Sequence, residues 1–166
     1  EELLQTRWPD LRVHVTSVSD QWAGVAVAGP KARQVVSECL EDSTLISNHA
    51  LPFMGVTATH LKGGIPCLIA RISFSGELAY EIYVAAGYGA PMMDLLWDKA
   101  EAAGGCLYGL EALGTLRIEK GHVTGAELDG RMTLDDAGLG KMASTKKPFI
   151  GNVLRQRPEL IREDRP

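Results

Sequence analysis

The segment 74–84, Phe-Ser-Gly-Glu-Leu-Ala-Tyr-Glu-Ile-Tyr-Val, constrains the fold more than any other part of the chain. Gly76 lies in a Ser-Gly-Glu turn, where glycine supplies the positive φ that a tight reversal needs. The residues that leave the turn alternate with a period of two. Tyr80, Ile82 and Val84 fall on one face, and Ala79, Glu81 and Tyr83 on the other. This strand therefore needs a sheet that buries its apolar face. The other face carries an acid. A carboxylate there stands either at a wet edge or beside a partner, because an unpaired buried charge is costly.

The flanking sequence supplies the remaining elements. Residues 22–28 form an apolar run, after which Gly29-Pro30 opens a helix with Ala32, Val35, Val36, Cys39 and Leu40 on one stripe. Residues 56–60 and 66–74 read as strands, with Lys62-Gly63-Gly64 at the tip between them. Residues 66–74 and 79–85 are expected to pair as an antiparallel hairpin turning at 75–78. Residues 11–17 also alternate and read as a strand. Pro91 begins a helix that buries Met92, Leu96 and Ala100 and stops at Gly104-Gly105, and residues 110–120 form another. This order predicts an α+β fold: a mostly antiparallel sheet with flanking helices. The segment from Arg155 is too charged to pack, so residues 1–152 are expected as the domain and 153–166 as a charged tail.

Composition removes several function classes. Seventeen basic residues against 21 acidic ones give a net charge of −4, without the basic patch that nucleic acid requires. Cys39, Cys67 and Cys106 form no Cys-x-x-Cys pair. That speaks against a disulfide framework and for a reducing, cytoplasmic setting. His14, His49, His60 and His122 show no ligand spacing, so no metal site is expected. No apolar run approaches the ~20 residues of a membrane span. Gly138-Leu139-Gly140-Lys141 lacks the glycine and hydroxyl residue that a phosphate loop needs, since those positions hold Asp135 and Met142. Ser75 lacks the glycine-flanked elbow of a hydrolase nucleophile. Glu127, Asp129, Asp135 and Asp136 read as solvated turn acids.

Four segments, in order, resemble the folate-binding aminomethyltransferase family. This family includes the glycine-cleavage T-protein, dimethylglycine oxidase and the C-terminal half of sarcosine oxidase alpha subunits. Phe74 to Ile82 is similar to the family's Tyr-Thr-Gly-Glu-x-Gly-x-Glu-Ile signature. Residues 109–121 (GLEALGTLRIEKG) resemble a helix ending in Leu-Arg-Leu-Glu-x-Gly. Ala137 to Gly140 with Lys146 to Gly151 resembles "GLG…K-x-x-F-I-G", and Gly29-Pro30-Lys31-Ala32 resembles "G-P-x-A". The wording at 75–82, 108–122 and 124–131 is nearest to sarcosine oxidase alpha subunits.

The resemblance implies a site and a chemistry. The second glutamate of the signature hydrogen-bonds the pteridine ring of tetrahydrofolate, and that position is Glu81. A carboxylate can accept two parallel N–H bonds from such an edge. Phe74 and Tyr83 would be the other cofactor-binding residues. Phe74 keeps the ring of the family tyrosine but not its hydroxyl, and Leu113 stands where T-proteins carry a folate-contacting arginine. The family's catalytic aspartate has no match here, since Asp10 and Asp20, the aspartates before Trp22, lack its surroundings. The chain is therefore expected to be a piece of a longer polypeptide, with apolar surface open where other segments would sit. That polypeptide would pass the one-carbon unit of an oxidised N-methyl amine, sarcosine, to tetrahydrofolate. FAD, FMN and NAD would bind outside this chain, and its partners would be folate, the amine and other sarcosine oxidase subunits. The alternative is a scaffold module that keeps the fold, has lost folate chemistry and serves subunit assembly.

Overall fold

The structure, a computed structural model, describes residues 2–128 and 130–158. They form two compact units that divide between Leu110 and Glu111. The first holds helix α1 (Glu2–Thr6), strand β1 (Trp22–Ala28), helix α2 (Ala32–Cys39), strands β2 (Val56–Leu61), β3 (Ile65–Ala70) and β4 (Ala79–Ala85), and helix α3 (Gly89–Ala102).

The four strands make one sheet in the order β1-β4-β3-β2, with every neighbour antiparallel. The α+β class with a mostly antiparallel sheet and flanking helices is what the chain adopts. β2 and β3 turn through residues 62–64, where Gly63 and Gly64 take φ of +87° and +73°, a region that costs a glycine little. Helices α2 and α3 pack on each other and on one face of the sheet. Tyr80, Ile82 and Val84 of β4 are fully buried beneath them, with Val36, Met92 and Leu96 from the helices. The stripe Ala32, Val35, Val36, Cys39 and Leu40 is buried as its spacing predicted. The Tyr80 hydroxyl accepts a 2.8 Å hydrogen bond from Arg33 Nε, which satisfies a polar atom that burial would otherwise leave costly. Cys39 and Cys67 are buried free thiols, and burial pushes Cys39 up to about 11.

Two local readings need correction. Residues 11–17 form no strand: Val13 and Val15 are exposed and the segment joins no sheet. Alternation alone does not hold a strand that has neither a ladder partner nor a face to bury. β3 ends at Ala70 rather than continuing to residue 74, so the connection to β4 spans 71–78. Arg71 N–H donates to Gly55 O and its C=O accepts from Met54 N–H, each at 2.9 Å. Those bonds face β2; within the connection Ser73 Oγ accepts from the Gly76 N–H at 2.9 Å, a local turn that competes with extended pairing. Gly76 still takes the expected positive φ, +91°. The helix expected after Gly29-Pro30 is there, from Ala32 to Cys39.

The second unit is built around helix α4 (Leu110–Lys120), which starts at the boundary, and the short helix α5 (Asn152–Arg155). Glu127 and Asp135 are paired with arginines rather than merely solvated. Arg117 Nη1 donates to Glu127 at 2.8 Å and to the His122 carbonyl at 3.2 Å, and the Thr124 N–H also donates to Glu127. Arg155 grips both oxygens of Asp135 at 2.8 Å. Turn composition hid these pairs, because each acid meets its arginine only after the chain folds back. Asp129, and residues 159–166 of the expected tail, lie outside the described residues.

Two outcomes follow from this packing. Ile82→Ala should cost about 2–5 kcal/mol in denaturant unfolding, whereas Val56→Ala, at a side chain 65% exposed on the opposite face, should stay within about 0.5 kcal/mol. Similar losses for both would place the core wrongly. Glu127 is held down at about 2 by the Thr124 N–H and then Arg117. Its contribution is present above the ordinary carboxylate range and is lost as pH falls through 2. Protection of the Thr124 amide relative to its intrinsic exchange rate should therefore fall as pH drops through about 2, and Glu127→Gln should show the reduced protection already at neutral pH.

Candidate functional site

The sheet face turned away from α2 and α3 carries Glu81 and Tyr83. Register lays its side chains in rows across the strands. Val56, Ala70, Glu81 and Ala26 form one row, and Ala58, Leu68, Tyr83 and Gly24 the next. Glu81 thus rises between two alanines, each only a methyl tall. Tyr83 has a leucine on one side and no side chain at all on the other.

Both residues are half-buried. The Tyr83 hydroxyl donates to Glu81 Oε2. This hydrogen bond, with burial and the nearby negative charge, pushes the phenol up to about 12, so Tyr83 remains a donor through the physiological range. Among the described residues, Glu81 Oε1 has no hydrogen-bond partner. A carboxylate offers about four acceptor positions. With one filled by Tyr83, the remainder can accept a two-pronged N–H edge.

The third expected site residue, Phe74, stands half-buried in the 71–78 connection that leads into β4. Arg117, in the second unit, clips the end of α4 to residues 122–127, a local structural task. Among the described residues no cluster of three or more histidines, cysteines or acids could hold a metal ion. No helix there is long and apolar enough to cross a membrane.

Two features escaped the sequence reading. A cleft of about 570 Å³ opens on the same sheet face, lined by Trp22, His60, Pro66, Leu68, Ala85 and Tyr88 among others. Glu81, Tyr83 and Phe74 do not line it; Tyr83 shares the row of Leu68, which does, and Glu81 lies in the row beyond. The second feature is Gly24. A Cβ built there would come within 3.0 Å of Cδ1 and Cε1 of Tyr83, so the Tyr83 ring lies against the β1 backbone. A lone glycine inside an apolar strand is the usual sign of such a close approach.

Comparison with known proteins agrees with this architecture. Residues 1–147 match the GCVT N-terminal domain. The chain is 47% identical over 165 residues to the sarcosine oxidase subunit alpha of Rhizobium meliloti (strain 1021), covering 98% of this chain and 16% of that protein. It is 43% identical over 170 residues to the subunit of the same name from Corynebacterium sp. (strain U-96), covering 99% and 17%. The aminomethyltransferase of Corynebacterium jeikeium (strain K411) is 35% identical over 162 residues, covering 89% and 42%. The chain thus spans about a sixth of the length of the sarcosine oxidase subunits it matches. With the family match running through both units of the structure, the chain belongs to the GCVT N-terminal domain family.

Proposed function

We propose that the Glu81 face of the sheet binds tetrahydrofolate and that the polypeptide carrying this chain is a sarcosine oxidase alpha subunit. The observation that carries the reading is the Glu81 carboxylate. It stands on the face away from the core, between small side chains, with one oxygen engaged by Tyr83 and the other unpartnered among the described residues. That arrangement suits the flat, donor-rich edge of a pterin: the alanines admit the ring, and the carboxylate receives its N–H groups. Phe74 and Tyr83 belong to the same site, Phe74 as an apolar surface for the ring. Residues 1–152 are read as part of the folate-binding domain.

Tetrahydrofolate held there supplies the nitrogens that capture the one-carbon unit of an oxidised N-methyl amine such as sarcosine, giving 5,10-methylenetetrahydrofolate. The contribution of this chain is to bind and orient, which turns an encounter between two partners into a reaction between fixed neighbours. The proton acceptor and the FAD, FMN and NAD sites belong to other parts of the enzyme, where the remaining sarcosine oxidase subunits are its partners. A cytoplasmic location follows from the reading of the thiols.

The test is Glu81→Gln in the full-length polypeptide. An amide keeps the size but sets a donor against the pterin N–H groups, so folate binding should weaken by about 1–3 kcal/mol. Amine oxidation should continue, with the one-carbon unit released as formaldehyde. Unchanged affinity for tetrahydrofolate would remove Glu81 from the site and favour the scaffold reading, in which Phe74 and Leu113 mark lost folate contacts.

A further inference from the structure

The Glu81–Tyr83 pair has a construction that goes beyond binding. Glu81 and Tyr83 are two residues apart on β4 and so lie on the same face. The terminal torsion of a glutamate is broad and roughly two-fold, so an exposed carboxylate samples many orientations of its plane. A hydrogen bond to one oxygen selects among them. The Tyr83 hydroxyl makes that bond at Oε2, and the phenol must itself be held for the selection to persist. Gly24, its cross-strand partner, provides the seat: the ring occupies space within 3.0 Å of where a β-carbon would stand. The three residues form a chain of cause. Absence of a side chain at Gly24 lets the ring settle against β1, the settled ring aims its hydroxyl along β4, and the hydroxyl sets the plane of the Glu81 carboxylate.

We propose that Tyr83 is a positioning residue, seated by Gly24, that acts on the folate by orienting the Glu81 carboxylate rather than by touching the pterin. This rests on the folate reading above. It assigns Gly24 a role that a strand glycine would not otherwise have, and it separates Tyr83 from the residues that contact the ligand. Oε2 keeps a lone pair after accepting from Tyr83, and among the described residues Oε1 keeps both. The two-pronged edge of the ligand therefore finds its acceptors already aligned, and less orientational freedom remains to be lost on binding.

The test is a double-mutant cycle in the full-length polypeptide, with the dissociation constant of tetrahydrofolate as the readout. Tyr83→Phe keeps the ring over Gly24 and removes only the donor; it should weaken binding about 2- to 12-fold, the range of one ordinary hydrogen bond. In the Glu81→Gln background the same change should have almost no further effect, because there is no longer a carboxylate to orient. Gly24→Ala should lower affinity in the same direction by shifting the ring, with the hydroxyl still present. Thermal unfolding should be nearly unchanged in Tyr83→Phe, which separates positioning from general stability. Equal weakening by Tyr83→Phe in both backgrounds would overturn the proposal in favour of direct contact with the ligand. Wild-type affinity in Tyr83→Phe, with Glu81→Gln still impaired, would also overturn it while leaving the folate reading intact. Wild-type affinity in Glu81→Gln would remove the folate reading, and this proposal with it.

Discussion

The register of β4 is the constraint on which the first unit depends. β4 pairs with β1 along its whole length and with β3 from Glu81 to Val84, so it is the strand that joins the two halves of the sheet. Its alternate residues serve opposite ends. Tyr80, Ile82 and Val84 fill the core under α2 and α3, while Glu81 and Tyr83 face away from it. A slip of one residue would exchange the two sets, burying a carboxylate and exposing three large apolar side chains. Neither half of that exchange is tolerable, which is why packing of the core fixes the position of the site. The energy that holds Glu81 in place is thus supplied by its neighbours in sequence, on the other face of the same strand.

The two tyrosines of β4 show how far the faces differ. Tyr80 is fully buried, and its hydroxyl accepts from Arg33, a cation brought from α2. Tyr83 is half-buried, and its hydroxyl donates to an acid on its own strand. The first arrangement closes a polar atom inside the fold. The second leaves an acceptor oxygen outward and requires no distant residue other than the empty place at Gly24. A polar network on an accessible face can hold an unsatisfied group that would be expensive in the core.

Much of this was legible in the sequence, and the failures have a common cause. β1, β2, α2, α3 and α4 followed from period and from glycine or proline punctuation, because each is decided within a window shorter than a hairpin. The strand expected at 11–17 failed since alternation requires a partner, and the sheet has none for it. The extension of β3 to Phe74 failed since Ser73 Oγ closes a local turn onto the Gly76 N–H. The identity of Glu81 as an outward acid was visible in the alternation around it. Its neighbours Ala26 and Ala70 were not, because they reach it through cross-strand register, which no single strand reveals. The same holds for the cleft at Trp22 and Tyr88, and for the arginine partners of Glu127 and Asp135.

Gly24 marks the boundary between these two kinds of knowledge. Glycine in a strand interior weakens the strand and offers nothing to pack, so its presence in the apolar run 22–28 opposes the local preference there. A departure of that kind points to a requirement elsewhere, and here the requirement is a tyrosine one strand away. Sequence announces that something must approach β1 closely. Only the register of β1 on β4 says that it is Tyr83, and only the hydroxyl's partner says why: a ring that lies against the backbone can reach along its own strand to a carboxylate two residues back.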